Sequence, residues 1–75
     1  LDGQDFRLAQ QYYQTGEYEK AAVIYKKLFE ENQRNDYFFN QYIECLLSLE
    51  EYEVCEKTIA RRIKKNPELI QLYVS

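Results

Sequence analysis

Shifted against itself by 34 residues, the chain falls into register. Tyr18 lands on Tyr52, Ala21 on Cys55, Tyr25 on Ile59, Tyr12 on Leu46, Leu8 on Tyr42 and Phe39 on Tyr73, and the phrase GEYEKAA meets EEYEVCE. A fixed period of about 20 to 50 residues is the mark of stacked supersecondary units, each of which buries its apolar face only against a neighbour. The period therefore restricts this chain to folds built twice from the same small piece.

Within each period the apolar spacing is that of a helix. Leu8, Ala9 and Tyr12 form one stripe and Ala21, Ile24, Tyr25 and Leu28 another. Phe39, Tyr42, Ile43 and Leu46 answer the first, and Tyr52, Cys55, Ile59 and Ile63 the second. Only 2 glycines and 1 proline interrupt 75 residues, so little of the chain can be loop. Gly16 can adopt the left-handed conformation that closes a helix, the polar run from Gln33 to Asp36 offers Asn35 or Asp36 as an N-cap, and Asn66-Pro67-Glu68 supplies a third boundary. These signals predict an all-α fold with helices near 3–15, 18–32, 36–48 and 52–65 and a short fifth over 67–75. At this length one small domain is possible, close to the lower limit for a self-sufficient core.

The order Leu8-Ala9, Tyr12, Gly16, Tyr18, Ala21, Tyr25, followed by Phe39, Tyr42-Ile43, Leu46, Tyr52, Cys55, Ile59 and Pro67, resembles the tetratricopeptide repeat. The resemblance implies antiparallel helix hairpins stacked as a right-handed α-solenoid, with repeat one over 2–35, repeat two over 36–69 and a third beginning at 70–75. Three positions depart from the family pattern. Asp5 stands where a bulky apolar residue is usual, Glu50 replaces the glycine found at Gly16, and Ile43 replaces a small residue opposite Cys55. The second hairpin is thus expected to cross more widely than the first. Pentatricopeptide repeats have a similar length but are usually basic RNA readers, whereas this chain is acidic.

The chain is similar to the N-terminal repeat segment of longer bacterial tetratricopeptide proteins. Because it begins at Leu1 and holds no methionine, it is expected to derive from a longer precursor. That origin is compatible with export after removal of a leader and equally with an internal piece of a cytoplasmic protein.

Catalytic constellations are missing. There is no histidine to serve as base for Ser48, Ser75, Cys45 or Cys55, and no phosphate-binding loop, metal-ligand spacing or cofactor motif occurs. The carboxylates Glu17, Glu19, Glu30, Glu31, Glu50, Glu51 and Glu53 sit at helix ends or beside lysines, as solvated faces do. No apolar run approaches the ~20 residues that span a bilayer. The formal charge of −3 divides unevenly, since residues 57–75 carry 5 basic side chains against 1 acidic, and the acidic remainder disfavours nucleic acid. The one cationic stretch, KTIARRIKK, has two readings, a contact for an acidic partner or a phosphate, and lysines and arginines placed favourably near a helix C-terminus, of which the second carries more weight.

A non-enzymatic protein-interaction module is the expectation that remains, with an architectural or self-assembling scaffold as the alternative. In the repeat family the first helix of each pair lines the concave side. There Phe6, Gln10 and Tyr13 form a stripe beside the packing stripe, and one period later Asn40, Glu44 and Leu47 continue it, with Tyr37 and Gln41 alongside; of these, all but Leu47 are taken as candidates. These seven residues are the candidate peptide-binding set. Phe6 and Gln10 replace the basic and amide side chains with which some family members grip a C-terminal carboxylate. Leu69, Ile70, Leu72 and Tyr73 make an apolar strip expected to pack on further repeats or on a second copy.

Overall fold

A computed structural model describes residues 3–67. Among them the chain forms four helices and no strand: α1 (Gly3–Gln14), α2 (Tyr18–Glu31), α3 (Asp36–Ser48) and α4 (Tyr52–Lys65). The all-α expectation holds, with each boundary within a residue of its sequence signal. The fifth helix expected over 67–75, and the strip Leu69, Ile70, Leu72 and Tyr73, lie outside the described residues.

Cap chemistry accounts for the boundaries. Oδ1 of Asn35 accepts from the backbone N–H groups of Tyr37 at 2.9 Å and Phe38 at 3.3 Å, satisfying two donors that open α3. The α1–α2 and α3–α4 turns are near copies. Glu17 N donates to the Tyr12 carbonyl at 2.8 Å, and 34 residues on, Glu51 N donates to Leu46 at 2.8 Å. Between them Gly16 has φ 81° and Glu50 φ 58°, the left-handed residue that such a turn requires. Asn32 and Asn66 close α2 and α4 with φ −135° and −134°.

Glu50 accepts a conformation that disfavours a side chain, so Glu50→Gly is expected to raise stability by about 0.5–1 kcal/mol, the strain relieved being partly offset by glycine's freedom in the unfolded chain. The reciprocal Gly16→Ala should lower it, since a Cβ there meets no neighbour and only the backbone conformation resists. Urea unfolding of the two variants measures both signs.

Contacts along the chain set the helix directions. Asp5 near the start of α1 pairs with Lys27 late in α2 at 3.5 Å, while Tyr13 late in α1 stacks edge-on against Tyr18 at the start of α2, so these helices run antiparallel. Phe29 late in α2 meets Phe39 early in α3, ring centroids 5.0 Å apart, and Arg62 late in α4 reaches Asp36 at the start of α3. Phe6 lies against both Tyr37 and Phe38, which brings the beginnings of α1 and α3 side by side.

The core occupies the junction of α1, α2 and α3. Ala9 and Ala21 are completely buried where α1 and α2 approach, and Tyr25, Leu28, Phe39 and Cys45 fill the space beyond them. The α3 and α4 backbones stay close over a much shorter stretch than those of α1 and α2. The larger pair Ile43 and Cys55 in place of Ala9 and Ala21 accounts for that wider crossing.

Three residues of the apolar stripes behave differently from expectation. Leu8 is 39% exposed although its counterpart Tyr42 is buried, because α2 lies behind α3 while no described helix lies behind α1. Tyr52 is exposed for the matching reason at the other end, whereas its counterpart Tyr18 is covered by Tyr13. On α4 the buried residues are Cys55 and Arg62, and Ile63 beside Arg62 is only half-buried.

Both cysteines are free and buried. Burial, with Glu44 as a smaller contributor, pushes the Cys45 thiol up to about 11, and burial also raises Cys55. A raised folded pKa favours the protonated thiol, so its contribution to stability is complete below the unfolded value near 8.5 and is lost as pH rises toward about 11. Tyr13, Tyr25 and Tyr42 are raised in the same sense, chiefly by burial. The fold should therefore weaken steadily between about pH 8.5 and 11, and alkylation of the thiols by iodoacetamide at pH 8 should track unfolding rather than precede it.

Candidate functional site

The seven candidate residues divide into a cluster and a periphery. Phe6 contributes a half-buried ring whose centroid is 5.8 Å from Tyr37 and 5.9 Å from Phe38, both edge-on, the geometry that the ring quadrupoles favour. Tyr37, placed at the second position of α3 by the Asn35 cap, is 43% exposed. It lies close to Tyr25, whose pKa is driven far above its ordinary value, first by burial and then by Tyr37. Tyr13 completes the cluster from the last turn of α1, against Tyr18 with centroids 5.4 Å apart. Its phenol is raised by burial and then by the negative charge of Glu44 across on α3.

Phe6, Tyr13, Tyr37 and Glu44 thus share the α1–α3 face as the sequence spacing indicates. Gln10 is half-buried on α1 between Phe6 and Tyr13. Asn40 is exposed and Gln41 half-buried on α3, and nothing ties either to the ring cluster among the described residues. The result is a surface of aromatic edges and one carboxylate, groups that can stack and hydrogen-bond. Among the described residues no group of three His, Cys, Asp or Glu side chains could hold a metal ion, and no helix is long and apolar enough to cross a membrane.

A second feature lies on the opposite pair of helices and takes in the cationic stretch KTIARRIKK, whose place in a groove and whose buried Arg62 the sequence did not indicate. Two cavities of about 80 Å³ and 240 Å³ share Phe29, Glu30, Thr58 and Arg61, so they form one continuous depression between α2 and α4. Arg62 stands at one end of it, only 8% exposed, its guanidinium carbon 4.1 Å from the centroid of the Phe39 ring and 5.8 Å from that of Phe29. Nη2 donates to Asp36, a residue largely in solvent, while Nε and Nη1 are buried with no acceptor. The available signal was the register itself, which sets Arg62 opposite the fully buried Leu28. A charged residue in a core position one period on marks a place where packing alone does not explain the choice.

Comparison with protein-family models, curated proteins and solved structures gives no match. Function is therefore argued from these two faces.

Proposed function

We propose that this chain is a non-catalytic protein-interaction module of the tetratricopeptide type, its hairpins belonging to a right-handed solenoid, and that the α1–α3 face receives an extended or helical peptide segment. The observation that carries the reading is the edge-on contact of Phe6 with the exposed Tyr37, with Tyr13 and Glu44 further along the same two helices. Aromatic rings of this kind supply large contact area with little conformational freedom to lose, which is why they dominate peptide and protein interfaces. Gln10, Asn40 and Gln41 on the same helices offer amide donors and acceptors for a peptide backbone.

The test is selection from a displayed random peptide library, followed by titration of the enriched peptides against Tyr13→Ala and Tyr37→Ala. Loss of about tenfold or more in affinity for each variant, with helicity unchanged by circular dichroism, is the expected outcome. One observation favours the architectural alternative: Tyr37 packs on Phe6 and lies close to the buried Tyr25, so the same rings also brace α3 against α1 and α2. Under that reading no peptide is enriched and Tyr37→Ala lowers the melting temperature instead.

A further inference from the structure

The α2–α4 depression combines four properties that the α1–α3 face lacks. Its cations outnumber its carboxylates heavily: Lys26, Lys57, Arg61, Arg62 and Lys65 line it against Glu30. Only Lys57 among the exposed ones is engaged, with Glu53 at 3.2 Å in full solvent, while Lys26, Arg61 and Lys65 join no ion pair among the described residues. Beneath them lies an apolar floor of Phe29, Tyr42 and Val54. At the end stands Arg62, nine-tenths buried, with two nitrogens, Nε and Nη1, lacking acceptors and a single, mostly solvated counter-charge.

A charge held in such a setting is less screened than one in bulk solvent, and an anion entering the groove experiences it together with the mobile lysines and Arg61 at the rim. We propose that this groove binds an acidic peptide segment of a partner protein, with carboxylates set toward Arg61, Arg62 and Lys65 and an apolar side chain on Phe29 and Tyr42. The dimensions suit a short segment, because a 14-residue helix is about 20 Å long, the span of about six extended residues.

Charge distribution selects a peptide over nucleic acid. A polyanion extending past the groove meets a chain whose net charge is −3, so the long-range counterion release that drives nucleic-acid binding is lacking. A short peptide that ends within the groove avoids that repulsion. The site is independent of the α1–α3 face, so either can fail without the other.

The experiment uses the chain as it stands and, as probe, a fluorescein-labelled acidic hexapeptide of glutamates around one phenylalanine, followed by fluorescence anisotropy at low and at physiological salt. Saturable binding is expected, weakened about tenfold or more by the double variant Arg61→Glu/Lys65→Glu, whose sites are exposed and compatible with an intact fold, and weakened severalfold by Arg62→Leu. Lys20→Glu, on α2 away from the groove and paired with Glu17, should leave binding within about twofold. Three results each overturn the proposal: no saturable binding, equal weakening by Lys20→Glu, or tighter binding of an oligothymidylate of matched charge, which assigns the groove to nucleic acid.

Discussion

Leu28→Ala is expected to leave the domain largely unfolded at room temperature. Leu28 is entirely excluded from solvent and belongs, with Tyr25, Phe39 and Cys45, to the largest side chains that are fully covered. Truncating a buried leucine removes its transfer free energy and leaves a cavity, about 2–5 kcal/mol in all. A single core in a chain of this size supplies only about 3–5 kcal/mol of net stability, so one such loss is of the order of the whole. Because α2 packs on both α1 and α3, neither neighbour can close the gap without leaving the other. Leu8→Ala makes the control. It removes the same atoms from a partly exposed position and should cost under about 1 kcal/mol, a shift of roughly 4–8 °C or less. A thermal melt at 222 nm of the two variants decides the matter: a folded Leu28→Ala with a melting temperature within a few degrees of the parent would mean that the core is centred elsewhere.

The same pair of leucines shows what the sequence could and could not tell. Both sit in the apolar stripes, and periodicity treats them alike, because a stripe records which face of a helix is apolar and not whether a neighbour exists to cover it. Leu28 is covered by α3; Leu8 has no described helix behind it. Local features were readable because their causes are local. Asn35 caps α3, Gly16 and Glu50 take the left-handed turn, and the wider second crossing follows from Ile43 and Cys55. Phe38 was the opposite case. Neither stripe takes it in, although it stands four residues before Tyr42 and seven before Cys45 on the buried side of α3, and its contact with Phe6 is made between the two periods. The α1–α3 face was partly readable, since spacing places Phe6 and Tyr13 on one side, whereas their junction with Tyr37 and Glu44 depends on how the hairpins stack. Of the α2–α4 groove only the cations of KTIARRIKK were legible, and taken along one helix they are explained well enough by the helix dipole to outweigh an acidic partner. Only comparison with Leu28, one period earlier, separates Arg62 from its neighbours.

Arg62 also yields a pair of substitutions with opposite expected signs. Arg62→Leu, which installs the residue found at the equivalent position of the first hairpin, removes a desolvated guanidinium whose Nε and Nη1 lack acceptors and fills the space over Phe39 with an alkyl group. Replacing a poorly satisfied buried ion pair by a well-packed apolar residue is commonly stabilising by about 1–4 kcal/mol, and a gain of about 1–2 is expected here because the stacking on Phe39 is forfeited. Asp36→Asn keeps the side-chain shape but withdraws the counter-charge, leaving the guanidinium buried without an anion. Breaking a fully buried pair costs about 3–5 kcal/mol, but Asp36 is 70% exposed, so a loss of about 1–2 is expected, part of it from the favourable charge at the first turn of α3. Guanidinium-induced unfolding would blur these electrostatic terms with its own ionic strength; urea does not, and is the denaturant to use. Should Arg62→Leu destabilise instead, the stacking of Arg62 on Phe39 and its bond to Asp36 outweigh the desolvation, and the residue is accounted for by the fold. A more stable Arg62→Leu that binds the acidic probe less well would mean that the native arginine trades stability of the second hairpin for a charge at the end of the groove.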